Sequence, residues 1–365
     1  MTDARSTTTM TNALITGWGM YAPSRVMTND ELSTMVETSD EWIVSRTGIR
    51  ERRIAADDET TATLSVNASR DALAVAGLEA SELDLVIVGT CSPDYYMPAT
   101  AVLVAHELGA TRAAGFDLMA ACSGFIFSLA TASAYVRSGM YRNVLVVGVE
   151  LLSRFLDYTD RNTCVLFGDG AGAVIVSASE GAGGLAGLDM YSDGSGAEGI
   201  IFPAGGSACP TTPQTVAEGG HFVHMAGKEV YRYATRQLAE SAQTALRDAG
   251  LTVDDIDQFL FHQANLRIIE SVQNTVGIPA DKTYLNIERY GNTSAASVPM
   301  ALVEALAEDK IQPGDKLLMV AFGAGYTAGA AVVEWTADPA LRSRAPGAQT
   351  RLGHRQAQPA GVDAA

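Results

Sequence analysis

The sequence predicts an α/β protein made of two similar halves, and three observations carry that expectation. Runs rich in Val, Ile and Leu alternate with helical stretches along most of the 365 residues. Those runs are continuously apolar, the pattern of strands covered on both faces of a sheet. The chain also repeats itself: ALAVAGLEASELDLVIVGT from Ala72 and ALRDAGLTVDDIDQFLFHQ from Ala245 match at one constant offset.

The strands read in order as LVIVGT (85–90), NVLVVGVE (143–150), GAVIVSA (172–178), QFLFHQ (258–263), KLLMVAFG (316–323) and AAVVEW (330–335). In the repeat, Ala72, Leu73, Ala76, Gly77, Leu78 and Asp84 fall on Ala245, Leu246, Ala249, Gly250, Leu251 and Asp257. Each copy reads as helix, glycine stop, short link and buried strand. A second echo pairs FGDGAGAVIV (167–176) with FGAGYTAGAAVV (322–333). The halves divide near residue 185, giving 12–185 and 186–336. Residues 337–365 collect Pro, Gly, Gln and Arg without apolar periodicity and read as a disordered tail, as do residues 1 to about 11.

Composition narrows the function. With 47% hydrophobic residues and 35 glycines the chain has enough apolar material for large cores. A net charge of −17 argues against nucleic acid as a partner. The start, MTDARSTTTMTNALITG, lacks a signal-peptide pattern, and no apolar run approaches the length of a membrane span. Cys91, Cys122, Cys164 and Cys209 share no metal-ligand spacing and suggest no disulfide framework. The reading is a reducing, cytoplasmic setting with no metal.

One cysteine stands out. In FDLMAACSGFIFSLATASAYVRSG, Cys122 lies among small residues at the start of an apolar helix. It is either a structural thiol or a nucleophile; a helix N-terminus favours the thiolate. Cys91, Cys164 and Cys209 read as structural. A duplicated fold places equivalent loops around one shared site, so partners for Cys122 belong in the second half. There, His262 ends a buried strand in FLFHQANLR, and Asn292 follows a glycine turn in ERYGNTSAASVPMAL. Cys, His and Asn together suggest acyl transfer through a thioester.

SDEWIVSRTGIRERRIA (39–55), AACSGF (120–125), FGDGAGAVI (167–175), HQANLRII (262–269) and RYGNTSAASVP (289–299) closely resemble the β-ketoacyl-acyl carrier protein synthase III family. These are the initiating condensing enzymes of bacterial fatty-acid synthesis, in the thiolase superfamily. The resemblance runs in order from about residue 12 to 335. It implies the thiolase fold, two α/β halves packed in an α-β-α-β-α arrangement, and a homodimer. It implies that Cys122 takes an acyl group from acyl-CoA, with the N–H groups of Cys122 and Ala324 as oxyanion hole. His262 and Asn292 would hydrogen-bond the malonyl thioester oxygen while CO₂ leaves; a neutral imidazole and an amide suit an enolate that must not be quenched.

By the same resemblance Trp42 and Arg161 would sandwich the CoA adenine, and Arg46, Gly227 and Asn265 would line its channel. Met97 would reach across the homodimer to close the acyl pocket. The segment Gln263, Ala264, Asn265, Leu266 and Arg267 would lie where an acidic acyl carrier protein docks. Independently, Lys228, Arg232 and Arg236 recur every four residues and form a basic helix stripe opposite Val230, Ala234 and Leu238. No cofactor is implied; acyl-CoA and malonyl-acyl carrier protein are substrates. Two departures from the family pattern are Ala324, where a glycine is usual, and YTAG, which lacks a tryptophan near Ala328. A starter-unit ketosynthase or acyltransferase of a polyketide pathway shares the fold and triad. A Cys-His-Asn hydrolase would leave the CoA motifs idle, and a non-catalytic partner subunit would not keep Cys122.

Overall fold

The computed structural model describes residues 11–345. Two five-stranded sheets organise them. The first comprises β1 (Asn12–Tyr21), β2 (Leu85–Gly89), β3 (Ala114–Leu118), β4 (Asn143–Glu150) and β5 (Gly170–Ser179). The second comprises β6 (Gly184–Ser192), β7 (Gln258–Phe261), β8 (Thr283–Tyr284), β9 (Lys316–Gly323) and β10 (Thr327–Glu334). Spatial orders are β1-β5-β4-β2-β3 and β6-β10-β9-β7-β8, one topology used twice. In each sheet two antiparallel pairings are followed by two parallel ones.

The helices that place the site are α1 (Asp40–Thr47), α2 (Thr61–Ala76), α3 (Thr100–Leu108), α4 (Gly124–Arg137), α5 (Gly227–Ala249), α6 (Leu266–Val276) and α7 (Ser297–Ala307). The three largest hydrophobic clusters fill the spaces between five layers, the central one lying on both sides of the middle helices. Leu85 and Ile87 of β2 face the central core, which holds Phe125 and Leu129 of α4 and Leu302 of α7. Val86 and Val88 face an outer core under α2 and α3. In β9, Leu317 and Met319 face the centre while Leu318 and Val320 face the outer core beneath α5 and α6. That two-sided burial is why these strands are apolar at every position.

The sequence repeat has a packing cause. A Cβ on Gly17 of β1 would sit 2.1 Å from the Ala72 carbonyl oxygen, and one on Gly187 of β6 would sit 2.3 Å from that of Ala245. Each sheet thus admits its covering helix at a glycine, against an alanine at the repeated position. Gly77 and Gly250 end those helices with φ of 68° and 69°, in the left-handed region that glycine adopts without strain. The Asp84 and Asp257 carboxylates each accept a backbone N–H at the start of the neighbouring strand, from Asn143 and Lys316.

Residues 337–345, expected from composition to belong to a disordered tail, are folded against the rest of the chain. Pro339–Arg344 forms a short helical turn capped by the Asp338 side chain. Arg342 donates to the Leu306 carbonyl at 2.9 Å and pairs with Asp309 at 2.8 Å, and Ala345 joins the central core. These anchors are polar and distant in sequence, so periodicity could not reveal them. Residues 1–10 and 346–365 lie outside the described residues. Among the described residues no helix is long and apolar enough to cross a membrane.

Candidate active site

A cavity of about 1270 Å³ opens where the two halves meet, with Cys122, His262 and Asn292 among its lining residues. Cys122 follows Ala121, whose φ of 46° turns the chain sharply after β3 and aims the residue at the second half. Gly323, at the end of β9, passes so close that a Cβ there would sit 2.6 Å from the Cys122 nitrogen. The N–H of Cys122 and the Ala324 backbone therefore share one corner of the cavity. The Ser294 hydroxyl donates to Cys122 Sγ at 3.1 Å.

Burial dominates the thiol. It pushes Cys122 up to about 12, against the lowering effect of the Ser294 hydrogen bond, with Glu150 adding to the rise. The helix start alone suggested a thiolate; here desolvation outweighs it and the resting residue is a thiol.

His262 is buried just past β7, its N–H bonded to the Val320 carbonyl at 2.7 Å. Nδ1 lies 2.7 Å from Ser297 Oγ. Burial pushes the ring down to about 4, so it is neutral at physiological pH. Asn292 follows Gly291, whose φ of 62° and ψ of −155° are open to glycine alone. Its backbone is held across the junction: Asn292 N donates to Leu166 O at 2.8 Å and Gly168 N donates to Asn292 O at 3.0 Å. Asn292 Oδ1 accepts the Ser294 N–H at 2.9 Å, which leaves the amide NH₂ as the unspent end.

The outer part of the cavity is cationic. Exposed Arg46, Arg161, Lys228 and Arg267 all line it, an unusual concentration in so acidic a chain. The Arg161 guanidinium stacks on the Trp42 ring at 4.8 Å and donates to the Glu37 carbonyl; Arg46 stands 5.9 Å from the same ring. Gly227 opens α5, and Asn265 caps α6 through a 2.9 Å bond from Arg267 N. Ala264 and Asn265 also line the cavity, while Leu266 packs against the Gly48 turn. The stripe of Lys228, Arg232 and Arg236 is exposed, with Val230, Ala234 and Leu238 buried behind it.

Two expectations need correction. Gln263 cannot contact a carrier protein: it is 1% exposed. Its amide donates to the Phe261 and Tyr284 carbonyls and accepts the Asn286 N–H. Cys91 is not a remote structural thiol; it lines the same cavity as Cys122. Met97 lies outside its own chain's cavity and is 84% exposed. Sequence reasoning also passed over Ser294, Ser297 and Glu150. The serines stood in the RYGNTSAASVP motif, and Glu150 was visible as a lone charge ending an apolar strand.

The fold and this Cys-His-Asn cluster define an acyl-transferring condensing enzyme of the thiolase type. Residues 116–194 match the 3-oxoacyl-[acyl-carrier-protein] synthase III family model and residues 246–335 match its C-terminal counterpart. A β-ketoacyl-[acyl-carrier-protein] synthase III of Roseiflexus castenholzii is 50% identical over 325 residues, 89% of this chain and 98% of that one. The crystal structure of 3-oxoacyl-[acyl-carrier-protein] synthase III from Aquifex aeolicus is 42% identical, with a TM-score of 0.82 over 88% of this chain and 100% of that one. A priming β-ketosynthase from a polyketide biosynthetic pathway is 40% identical, with a TM-score of 0.84 over 90% and 97% of the two chains. The chain belongs to the β-ketoacyl-[acyl-carrier-protein] synthase III family, enzymes of the initiating condensation in fatty-acid biosynthesis.

Proposed function

We propose that Cys122 accepts the primer acyl group from acyl-CoA and that His262 and Asn292 then direct the condensation with malonyl-acyl carrier protein. The Cys122 sulfur bonds to the acyl carbon and CoA leaves as thiolate, while the N–H groups of Cys122 and Ala324 hold the oxyanion. His262 Nε2 and Asn292 Nδ2 donate to the malonyl thioester oxygen as CO₂ departs. The enolate attacks the acyl-Cys122 carbon and expels the Cys122 thiolate, giving 3-oxoacyl-acyl carrier protein. The observation that carries this reading is where the side-chain bonds point. Asn292 Oδ1 is taken by the Ser294 N–H, which leaves its NH₂ to donate, and His262 Nδ1 is engaged with Ser297 Oγ, which leaves Nε2 as the ring atom for substrate. A neutral ring pushed down to about 4 donates without quenching the carbanion.

The cations at the outer end suit CoA phosphates, and Trp42 suits its adenine, with Arg161 moving outward to admit the base. Acyl thioesters bring their own activation, so no cofactor is required. A homodimer fits the surface: Tyr95, Tyr96, Met97 and Met119 are 61%, 85%, 84% and 65% exposed, and β3 is an edge strand. Four free thiols suit a reducing cytoplasm.

Intact-protein mass spectrometry after exposure to a panel of acyl-CoAs tests the reading. One acyl adduct is expected, on the Cys122 peptide; an adduct that persists in Cys122→Ala overturns it. Met97 is flexible and unbranched, so short straight and branched primers should all load; strict use of acetyl-CoA contradicts that assignment. A second reading, polyketide priming, is favoured by the likeness to the polyketide priming β-ketosynthase. Comparing malonyl donors on fatty-acid and polyketide carrier proteins separates the two.

A further inference from the structure

Acylation of a thiol must send its proton somewhere, and the site holds a buried carboxyl that the condensation does not use. Glu150 ends β4 and is 0% exposed. Its Oε1 accepts the Cys91 N–H at 2.8 Å, while Oε2 accepts the Ser92 hydroxyl at 2.7 Å and the Cys91 thiol at 3.2 Å. Among the described residues no Lys, Arg or His forms an ion pair with it. Cys91 in turn faces the cavity. The Ser294 hydroxyl, 3.1 Å from Cys122 Sγ, lines the same cavity as Cys91 and acts on its thiol. Groups able to pass a proton are thus arrayed from Cys122 Sγ through Ser294 Oγ and Cys91 Sγ to Glu150 Oε2.

We propose that Glu150 takes up the Cys122 proton when the thiol becomes a thioester and returns it when condensation releases the thiolate. This rests on Cys122 being the acylated residue. The relay moves three protons by one place: Cys122 to Ser294, Ser294 to Cys91, and Cys91 to Glu150. The Ser294 hydroxyl must first rotate, which a hydroxyl rotor does freely. As the Cys122–acyl bond forms, the acyl–CoA bond breaks; the CoA thiolate leaves with the electron pair and takes a proton from water. When the enolate expels the Cys122 thiolate, the proton runs back along the same groups. The acyl-enzyme thus holds as many protons as the resting enzyme, one having moved from Cys122 to Glu150, and the single proton drawn from solution is the one that ends on CoA.

The competing acceptor is His262, but burial pushes it down to about 4 and its Nδ1 is committed to Ser297. Burial pushes Glu150 the other way, up to about 7, so that it can hold a proton near neutrality. The titratable groups facing it are Cys91, Cys122 and Asp169. After burial, Asp169 raises the carboxyl further, the hydrogen bonds from Ser92 and Cys91 lower it, and none of these groups neutralises it.

Proton uptake tests this directly. The full chain is mixed with acyl-CoA, without malonyl-acyl carrier protein, in weak buffer with an indicator dye slightly above pH 7. Uptake approaching one proton per acyl-enzyme is expected, with a protonated-carboxyl band appearing in the infrared difference spectrum. In Glu150→Gln both signals vanish and acylation slows by roughly 100-fold, the usual effect of losing a positioned base. Cys91→Ser keeps a hydroxyl in the relay and should keep the uptake; Cys91→Ala should slow acylation. Acyl-enzyme formed in the wild type without uptake, or uptake undiminished in Glu150→Gln, overturns the proposal. If Glu150→Gln does not fold, the wild-type proton count and carboxyl band still decide. Absence of any adduct on Cys122 overturns the acylation reading itself, and this proposal with it.

Discussion

In the first half the chain turns at Ala121, with φ of 46°, and runs through Cys122 into α4; in the second it turns at Ser294, with φ of 49°, and runs through Ala295 into α7. Each turn is pressed against the middle strand of the opposite sheet. A Cβ on Gly148 of β4 would meet the Ala295 oxygen at 2.3 Å, just as one on Gly323 of β9 would meet the Cys122 nitrogen at 2.6 Å. A non-glycine residue held at positive φ ordinarily marks a functional site. Here the same conformation occurs at two equivalent turns, followed by Cys122 at one and by Ala295 at the other. The strain therefore belongs to the duplicated architecture, which needs a sharp turn at each crossing, and the chemistry depends on which side chain occupies it. Cys122 sits on one turn; the other supplies Ser294 as the thiol's hydrogen-bond donor and positions Asn292 and Ser297 beside it.

The largest test of that comparison moves the thiol. Cys122→Ala should abolish acyl-enzyme formation entirely. Adding Ala295→Cys, which places a thiol at the matching position of the second turn, should not restore it. Ala295 is 1% exposed and its Cβ position lies 3.5 Å from the one a side chain on Gly124 would occupy, in the packed junction instead of the cavity. Acylation of the double variant, read by mass spectrometry, would show that the two turns are chemically interchangeable.

The next effect separates the halves by reaction step. In the proposed reaction Cys122 serves acylation, whereas His262 and Asn292 serve decarboxylation. His262→Ala and Asn292→Ala should each reduce condensation by orders of magnitude, at about 3 kcal/mol per lost donor. Acylation from acyl-CoA should change far less. Equal loss of both steps would mean that the second half acts on Cys122 itself.

Much of this division was legible in the sequence. The repeat around Ala72 and Ala245 was visible because packing a helix on a strand glycine demands small residues at fixed places. Cys122, His262 and Asn292 were visible because each follows a turn or strand end that exposes one polar group among apolar neighbours. Gln263 was misread for the same reason: a polar residue beside a catalytic one looks functional, but three backbone bonds consume its amide. Cys91 escaped because its approach to Cys122 depends on β2 and β3 lying side by side, which no local pattern encodes. The turn at Pro339–Arg344 escaped because its anchors, Arg342 to Asp309 and Ala345 in the core, join distant segments.

A third test uses acid and base. The first half buries Glu150 and the second buries His262, and burial resists the charged form of each. For His262 the folded value of about 4 lies below the ordinary 6.5, so the unfolded chain binds more protons between those values. Its contribution to stability is present above pH 6.5 and lost as pH falls toward 4. For Glu150 the folded value of about 7 lies above the ordinary 4.5, so its contribution is present below pH 4.5 and lost as pH rises toward 7. Each span corresponds to roughly 3 kcal/mol. In urea titrations, His262→Asn should flatten the acid-side loss and Glu150→Gln the neutral-side loss. A single variant that flattens both limbs would mean that the two groups titrate as one cluster.

The smallest expected effect concerns the outer surface of the second half, which has no basic counterpart on the corresponding helix of the first: α2 carries only Arg70, whereas α5 carries Lys228, Arg232, Arg236 and Arg247. If this asymmetry serves an acidic carrier protein, residues nearer the cavity should matter more. Arg267 and Lys228 line the cavity. Arg232 lies one turn further along α5. Arg236 lies a turn beyond that, with Glu240 at 3.9 Å and the Tyr233 ring 5.1 Å from its guanidinium. Exposed charges steer encounter more than they bind, and salt screens them. Arg267→Glu should therefore raise the apparent KM for malonyl-acyl carrier protein by roughly fivefold, with Arg232→Glu smaller and Arg236→Glu close to wild type. The salt dependence of KM should flatten in the same order. Acylation of Cys122 should be insensitive to Arg232→Glu, because acyl-CoA reaches the thiol through the cavity and not along the helix face. Equal effects from all three reversals would assign the stripe to general solvation of an exposed helix, and would leave Arg267 as a cavity residue only.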